Sequence, residues 1–322
     1  MRKATAVAGS NIALIKYWGN RDHRKRLPAN HSISLTLREL TTTTTVSFPP
    51  GAARDEATVD GKPLSGTSME RVRHVLDPLR KRAKVRARAR VASRNSFPAG
   101  AGLASSASAF AALAAAAAAA LGLHLPPREL SAAARLGSGS AARSVFGGFA
   151  ELGTDGTAWP LAPPGHWDLR DVAVVLSREH KEVGSTEGHL RARSSPLYAA
   201  RLRFVEHALP EARAAVLARD FPAVARLAEA DALAMHSVMA TSEPPVVYWS
   251  RDTLRLLEAV EEWRRNGLPC AYTLDAGPNV HILAPGGSAA RVAARVRSAV
   301  PGADVRVCRP GPGVRLSRSH LF

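Results

Sequence analysis

The sequence contains little cysteine and few aromatic residues. Only two of its 322 residues are cysteines, Cys270 and Cys308. Two thiols cannot build a disulfide framework or a cysteine-rich metal cluster, so the disulfide-stapled secreted class is excluded and a reducing, cytoplasmic environment is expected. Aromatic residues make up 5% of the chain, whereas hydrophobic residues as a whole make up 46%. This is the composition of a folded globular protein, long enough for one large domain or two moderate ones.

Acidic residues are also scarce. The chain has 27 Asp and Glu against 44 Lys and Arg, a formal net charge of +17. Basic residues alternate with Ala or Val over residues 82–91, which predicts a strand with one basic, solvated face and one buried face. A nucleic-acid platform is the alternative interpretation, but no aromatic side chains lie between these basic residues to stack on bases. We therefore expect no nucleic-acid partner, and we expect the positive charge to attract anionic metabolites.

The sequence lacks a convincing membrane segment. Residues 98–123 carry no charge and are numerous enough to cross a bilayer, but Ala, Gly and Ser dominate them. That composition indicates a buried helix packed closely against a sheet. The N-terminus begins with basic residues and has no apolar signal core before Asn11. The expectation is a protein without membrane attachment.

Hydrophobic periodicity favours an α+β protein with two domains. Strands and helices alternate without a strict βαβ period, and the two domains are expected to cover residues 1–175 and 176–322. Predicted strands lie at 4–8, 33–37, 41–48, 149–152, 172–176, 271–274, 280–284 and 304–308. Predicted helices lie at 68–82, 110–123, 128–135, 196–217, 221–239, 250–266 and 288–300. The Pro- and Gly-rich residues 310–322 predict a poorly ordered tail.

Residues 98–108 are the stretch most indicative of chemistry. Gly100 and Gly102 precede a hydroxyl cluster of Ser105, Ser106 and Ser108, directly ahead of the Ala-rich helix. A flexible loop leading into a helix N-terminus presents unpaired N–H groups and the positive end of the helix dipole to an anion. The Gly-Lys-Ser/Thr ending of a Walker A motif is missing. The stretch predicts a phosphate-binding loop of another lineage, with a Ser-capped helix after a plain turn as the alternative.

Three further positions point to chemistry when they are taken together. Lys16 interrupts an apolar run, and a buried lysine needs an anionic partner unless it snorkels to the surface. Arg143 follows Gly-Ser-Gly-Ser at 137–140, which is either a second anion site or a plain connection. Asp275 ends an apolar strand before a Gly-Pro turn, where it is either an Asx-turn residue or a catalytic carboxylate. The combination indicates an enzyme for a phosphorylated substrate that carries a carboxylate.

Six segments stand out along the chain: NIALIKYWG at 11–19, SISLTL at 32–37, FPAGAGLASSAS at 97–108, GSGSAARS at 137–144, MATSEPP at 239–245 and TLDAGPN at 273–279. Together they resemble the mevalonate diphosphate decarboxylase family of the GHMP kinase superfamily. The resemblance covers nearly the whole chain in order. It implies a GHMP-kinase-like two-domain fold: an ATP-binding N-terminal domain similar to ribosomal S5 domain 2, and a smaller C-terminal α/β domain. It also implies a homodimer.

The activity that the resemblance implies is ATP-dependent decarboxylation of (R)-5-diphosphomevalonate to isopentenyl diphosphate, in the mevalonate pathway of isoprenoid synthesis. ATP phosphorylates the tertiary 3-hydroxyl, phosphate leaves, and CO₂ departs as the alkene forms. The expected partners are phosphorylated mevalonate, ATP and Mg²⁺. A mevalonate-type kinase without decarboxylation and a basic nucleic-acid-binding protein are the weaker alternatives.

The resemblance also implies roles for individual residues. Asp275 orients the hydroxyl and accepts its proton, Lys16 neutralises charge beside Asp275, and Arg143 holds the substrate carboxylate. The expected substrate-binding residues are Asn11, Tyr17, Ser138, Gly139, Ser140 and Arg143. The expected ATP-binding residues are Gly100, Ala101, Gly102, Leu103, Ala104, Ser105, Ser106 and Ser185, with Ser105 and Ser106 also facing Mg²⁺.

The chain departs from the family pattern at two places. Asn20 stands where the family has a second lysine that contacts the substrate diphosphate, so one cation facing the distal phosphate is missing. Segment 184–189 begins with Gly rather than Ser and ends with His189 rather than Met. The same reaction on 5-phosphomevalonate, giving isopentenyl phosphate, is therefore an alternative unless one of the many arginines replaces the lysine.

Overall fold

The computed structural model of the protein describes residues 3–97, 105–177 and 182–322. Within these ranges the strands are β1 (Ala4–Ile15), β2 (Asn20–Asp22), β3 (Leu27–Pro28), β4 (Ser32–Ser47), β5 (Glu56–Val59), β6 (Lys62–Pro63), β7 (Arg90–Asn95), β8 (Phe149–Leu152), β9 (Ala158–Ala162), β10 (Leu169–Val175), β11 (Ala271–Thr273), β12 (Val280–Pro285), β13 (Asp304–Cys308) and β14 (Arg315–Ser317). The α-helices are α1 (Gly66–Ala83), α2 (Ser105–Ala120), α3 (Pro127–Gly137), α4 (Ser185–Arg191), α5 (Tyr198–Ala218), α6 (Phe221–Ala240), α7 (Arg251–Arg265) and α8 (Gly286–Ala299). Two 3₁₀ turns lie at Gly139–Val145 and Ala192–Ser194.

The first sheet is built around the long antiparallel pair β1 and β4. Its strand order is β14-β1-β4-β7-β5-β6, with β8 and β9 branching from β4. The sequence predicts two strands where β4 forms one of 16 residues. They join because β4 changes partner along its length: residues 32–35 pair with β8 and residues 42–47 pair with β7. A register irregularity against Gly9–Asn11 absorbs the bend between the two halves.

The Ala-rich helix α2 lies against β1 and β4 and between α1 and α3. Twelve of its 16 residues are buried, which is possible because alanine is small on every side of the helix and lets neighbouring backbones approach. The structure thus contains the buried helix that the uncharged stretch predicts. No helix in the described ranges is long and apolar enough to cross a membrane.

The second sheet has the order β11-β12-β10-β13 and is antiparallel throughout. Helices α7 and α8 contribute to the core on one of its faces, and α5 and α6 fill the space toward β1 and β4. This arrangement of two sheets with segregated helices confirms the predicted α+β class. The division of the chain at residues 175 and 176 stays a prediction; β10, just before it, pairs in the second sheet, and β14 returns to the first.

The predicted basic strand over residues 82–91 is wrong for most of its length. Helix α1 continues to Ala83 and ends at Lys84, which adopts a left-handed backbone conformation with φ of 55°. Strand pairing begins only at Arg90, although the side chains alternate between exposed and covered from Lys84 onward. The alternation therefore indicates an extended chain, not one that is paired in the sheet.

The predicted disorder of residues 310–322 is also wrong. The tail pairs with the first sheet through β14, which lies antiparallel to β1. Ahead of that strand, the Gly311 N–H donates to the Thr36 carbonyl at 2.7 Å, and the Gly311 carbonyl accepts from Gly148 N–H at 2.9 Å. A Cβ at Gly311 would lie 2.7 Å from the Arg38 nitrogen. The glycine thus lets the tail approach β4 closely enough to be held by it.

Candidate active site

A cavity of about 370 Å³ opens where β1, the 3₁₀ turn at Gly139–Val145, α4 and the loop between β11 and β12 meet. Every predicted site residue that lies in the described ranges lines it: Asn11, Lys16, Tyr17, Ser105, Ser106, Ser138, Gly139, Ser140, Arg143, Ser185 and Asp275. The predicted ATP-binding residues Gly100, Ala101, Gly102, Leu103 and Ala104 lie outside the described residues. The fold therefore brings together groups that are up to 264 positions apart in the chain (275 minus 11).

Lys16 and Asp275 form an ion pair at the wall of this cavity. The Lys16 Nζ lies 2.8 Å from Asp275 Oδ1, and the lysine side chain is 2% exposed whereas the aspartate side chain is 25% exposed. Lys16 therefore does not snorkel to the surface. The carboxylate is the member of the pair that a ligand in the cavity can reach.

The main chain of Lys16 is fixed by a second, fully buried ion pair. The Lys16 N–H donates to Asp231 Oδ2 at 2.5 Å, and Arg201 Nη2 donates to the Lys16 carbonyl at 3.1 Å. Arg201 and Asp231 are themselves joined at 2.9 Å. Side chains of α5 and α6 thus hold both the N–H and the carbonyl of Lys16, so the backbone that carries its ammonium group is fixed.

His236 lies behind Asp275. Its Nε2 is 3.2 Å from the Asp275 carbonyl oxygen. Burial, and then the charge of Lys16, lower the pKa of His236 to about 3. The imidazole is therefore neutral at pH 7 and donates its Nε2 hydrogen to that carbonyl, which supports the loop that carries Asp275.

Arg143 is buried among neutral partners. Its Nε donates to Ser34 Oγ at 2.8 Å, Nη1 to Ser32 Oγ at 2.5 Å and Nη2 to Asn11 Oδ1 at 3.2 Å. Among the described residues this leaves one N–H on each terminal nitrogen, the pair that matches the two oxygens of a carboxylate. Burial lowers the pKa of Arg143 to about 10, partly opposed by Asp275. A buried guanidinium without a bound anion is costly, so the site favours an anionic ligand here.

Asn11 and the serines connect Arg143 to the rest of the site. Both amide hydrogens of Asn11 are donated to the protein, to Ser144 Oγ at 2.7 Å and to the Ser140 carbonyl at 3.1 Å. A chain of hydroxyls then runs from Ser140 to Ser138 and on to Ser106, with 3.2 Å at each step. The predicted substrate loop and the start of α2 therefore share one hydroxyl surface.

Tyr17 and His189 form an aromatic wall. Their ring centroids are 4.4 Å apart, and His189 Nδ1 accepts the Gly19 N–H at 2.9 Å. Burial lowers the pKa of His189 to about 3 and raises that of Tyr17 to about 12, so both side chains are neutral at pH 7. A Cβ on Gly139 would lie 2.3 Å from the Tyr17 ring, so this position needs glycine for the ring to pack.

Sequence reasoning missed two arginines of this cavity, Arg26 and Arg71. Arg26 lies in a basic run at 23–26, and Arg71 belongs to the amphipathic pattern of α1, so each has the sequence context of a solvated surface residue. His189 is noted only as a departure from the family pattern, yet it lines the cavity. No local sequence signal distinguishes these three buried or partly buried residues from solvated ones.

The described residues contain no group of three His, Cys, Asp or Glu side chains that could hold a metal ion. The cavity offers instead the hydroxyls of Ser105 and Ser106 and the carboxylate of Asp275. Such a sparse set suits Mg²⁺, which keeps most of its waters and is held largely by substrate phosphates. The residues fit a magnesium ion that arrives with a nucleotide.

Comparison with known proteins shows the family of the chain. Residues 8–158 match the diphosphomevalonate decarboxylase-like N-terminal domain, and residues 172–309 match the mevalonate 5-diphosphate decarboxylase C-terminal domain. The diphosphomevalonate decarboxylase of Candida albicans is 39% identical over 305 residues, covering 88% of this chain and 84% of the relative. The phosphomevalonate decarboxylase of Haloferax volcanii is 35% identical over 286 residues, covering 87% of each chain.

Solved structures give the same result. The mevalonate diphosphate decarboxylase of Staphylococcus aureus superposes with a TM-score of 0.93 at 36% identity and 98% coverage of both chains. A structure described as MDDEF in complex with MVAPP, AMPPCP and magnesium superposes with a TM-score of 0.92, also at 36% identity, covering 98% of this chain and 99% of that one. The chain belongs to the mevalonate diphosphate decarboxylase family.

Proposed function

We propose that the protein catalyses the ATP-dependent decarboxylation of (R)-5-diphosphomevalonate to isopentenyl diphosphate, releasing ADP, phosphate and CO₂. The observation that carries this proposal is that a carboxylate suited to a hydroxyl and a guanidinium suited to a carboxylate line the same cavity. Asp275 presents a carboxylate beside Lys16, and Arg143 keeps two N–H groups free of acceptors among the described residues. A kinase needs the first of these, whereas a decarboxylase needs both.

Asp275 acts on the tertiary hydroxyl. Such an alcohol is far too weak an acid to be ionised by a carboxylate outright, so Asp275 orients the hydroxyl and accepts its proton as the new P–O bond forms. The Lys16 ammonium, 2.8 Å from Asp275 Oδ1, offsets negative charge on the transferring phosphoryl group.

Arg143 acts on the carboxylate that is lost. A bidentate grip fixes the plane of the carboxylate relative to the carbon that carries the departing phosphate. The C–C bond can then break as positive charge develops on that carbon. Ser32, Ser34 and Asn11 hold the guanidinium in the orientation that this grip requires.

ATP would enter from the side of α2. A second cavity of about 200 Å³ shares Ser68, Arg71, Ser105 and Ser106 with the first and continues between apolar side chains of α1 and α2. We place the base and ribose there and the phosphates on Ser105, Ser106 and Ser185. Ser105 and Ser106 would help to hold a magnesium ion here, and the ion would supply positive charge that offsets the charge of the triphosphate.

We assign the substrate's terminal phosphates to Tyr17, Ser138, Gly139 and Ser140, which line the first cavity. We also propose that the enzyme is cytoplasmic and assembles as a homodimer. The low cysteine count supports the cytoplasmic location, and the homodimer is what the resemblance to the family implies.

Simultaneous assay of ADP and CO₂ tests the proposed reaction. With Mg-ATP and 5-diphosphomevalonate, we expect one CO₂ for each ADP. ADP without CO₂ would establish a kinase that stops at phosphorylation and contradict the proposal. Salt-sensitive RNA binding with no turnover would instead favour the nucleic-acid alternative.

The same reaction on 5-phosphomevalonate is the second candidate. It is favoured by Asn20, which is neutral and whose carboxamide accepts a hydrogen bond from the Tyr17 hydroxyl. The similarity to the Haloferax volcanii protein keeps this candidate open. Steady-state comparison of the two substrates separates the candidates, because the preferred one has the higher kcat/KM.

A further inference from the structure

The guanidinium groups of Arg26 and Arg71 lie near each other in the first cavity, and Arg71 also lines the second. The Arg26 Nε donates to the Leu136 carbonyl at 3.2 Å, and the Arg71 Nε donates to the next carbonyl, that of Gly137, at 2.9 Å. Both side chains are partly buried and both line the cavity. The two side chains therefore bind adjacent carbonyls at the C-terminal end of α3, where the helix dipole favours positive charge.

No carboxylate balances the charges of this arginine pair within the described part of the chain, although the Arg71 guanidinium lies over the Phe110 ring, 4.7 Å from its centroid. Neither guanidinium has a carboxylate within ion-pairing distance there. The nearby Arg26 further lowers the pKa of Arg71, which burial brings to about 10. Two like charges held in a partly buried cavity are unfavourable unless an anion joins them. Such a pair is suited to an anion with more than one negative charge.

Arg26 lies close to Tyr17 and His189, near Asn20, the position at which the family has a lysine. Burial has the largest effect on the pKa values of Tyr17 and His189, the two rings that form the aromatic wall, and the charge of Arg26 has the next largest. Asn20 contributes no charge there, and its carboxamide oxygen is occupied by the Tyr17 hydroxyl. The Arg26 backbone has a φ of 50°, a left-handed conformation that is uncommon for a residue with a side chain.

We propose that Arg26 binds the distal phosphate of a 5-diphosphate substrate, in the role that Asn20 leaves without a cation, and thereby selects the diphosphate over the monophosphate. This inference rests on the proposed function. The Arg26 guanidinium reaches the cavity from the turn between β2 and β3, and Asn20 lies in β2, where its carboxamide contacts the hydroxyl of the cavity residue Tyr17. The specificity of the family's pocket would thus be retained here with the cation moved by six positions (26 minus 20).

The test compares Arg26→Asn with Arg24→Asn on both substrates at saturating Mg-ATP. Asn is chosen because it tolerates left-handed backbone better than most residues. Arg24 is an exposed arginine of the same turn and does not line the cavity. We expect Arg26→Asn to lower kcat/KM for 5-diphosphomevalonate by about 10- to 100-fold, as for loss of a charge-assisted contact, and to change it for 5-phosphomevalonate by less than about twofold. Arg24→Asn should leave both values unchanged.

Two further measurements make the result decisive. Adding Asn20→Lys to Arg26→Asn should restore the diphosphate reaction at least about fivefold, because it returns a cation to the same phosphate. Thermal unfolding midpoints close to that of the wild type show that the variants are folded. Equal losses on the two substrates, no loss on either, or a wild type that prefers the monophosphate would each overturn the assignment.

Failure of the proposed function would be recognised separately. If the wild type releases CO₂ from neither substrate, the decarboxylase proposal fails. Calorimetric binding of the two mevalonate phosphates to the wild type and to Arg26→Asn then decides the role of Arg26. Weaker binding of the diphosphate alone would support it, and unchanged binding would overturn it.

Discussion

At the scale of single residues, the site is defined by which hydrogen-bonding groups the protein leaves unused. The guanidinium of Arg143 has five N–H donors, and three of them are donated to Ser34, Ser32 and Asn11. The remaining two point to one type of ligand, a planar anion with two oxygens. This is stronger support for a carboxylate site than positive charge alone, because many of the arginines in this chain are simply solvated.

Arg143→Lys should therefore not behave as a conservative change. A lysine keeps the charge but has no planar fork, so it can hold neither the three protein acceptors nor the carboxylate in the same geometry. We expect kcat/KM to fall by at least about 100-fold, with much of the loss in kcat. Steady-state CO₂ release measures it. A variant with wild-type kcat/KM would refute the role of Arg143.

The buried side chains of His189 and His236 predict that the stability of the protein depends on pH. Their folded-state pKa values of about 3 lie below the ordinary value of 6.5, so the unfolded chain binds more protons between these limits. Stability should therefore fall as pH drops below 6.5. Near pH 5 each histidine should contribute up to about 1.4 kcal/mol per pH unit to the slope.

Urea unfolding between pH 5 and pH 8 measures this slope. His189→Met should reduce it by the share of one histidine. His207 is exposed on α5, and His207→Met is the matched control. Equal changes in slope for the two variants would show that burial of His189 is not the cause.

At the scale of elements, α5 and α6 are joined by two ion pairs in different surroundings. Arg201 and Asp231 are buried and also hold the backbone of Lys16. Arg226 and Glu211 join the same two helices on the surface, where both side chains are more than half exposed. The chain therefore contains its own control for the energetic effect of burial.

Arg201→Ala should lower the free energy of unfolding by about 3–5 kcal/mol, because it leaves Asp231 charged and unpaired in the interior. Arg226→Ala should lower it by about 0–1 kcal/mol, because water solvates Glu211. Denaturant unfolding of both variants provides the comparison. Similar losses for the two variants would contradict the claim that the buried pair of Arg201 and Asp231 fixes the backbone of Lys16.

The elements also show how far local sequence determines the fold. The Ala-rich composition is sufficient to predict α2, and Ser250 with Thr253 forms the capping box that starts α7 close to its predicted position. Residues 82–91 could not be predicted from local sequence, because the alternation of basic and apolar side chains does not show whether a partner strand lies beside the chain. The single long β4 could not be predicted either, since its continuity depends on β7 and β8, which follow much later in the chain.

At the scale of the whole molecule, the site depends on long-range contacts. Lys16 and Asp275 are 259 positions apart, and Arg143 comes from a third segment. Local patterns identify each as unusual but cannot place them in one cavity; the family resemblance supplies that expectation. Arg26 and Arg71 lie outside the six segments that resemble the family, so only the folded structure shows that they line the cavity.

The proposed function depends most on Asp275 as the group that receives the proton of the tertiary hydroxyl. The most direct measurement is a single turnover of Asp275→Asn with enzyme in excess, following ADP and CO₂ together, with binding of an ATP analogue and of 5-diphosphomevalonate measured in parallel. We expect both products to form at least about 1,000-fold more slowly than in the wild type, while both ligands bind within a few-fold of it. Formation of ADP and CO₂ at the wild-type rate would contradict the proposed role of this carboxylate.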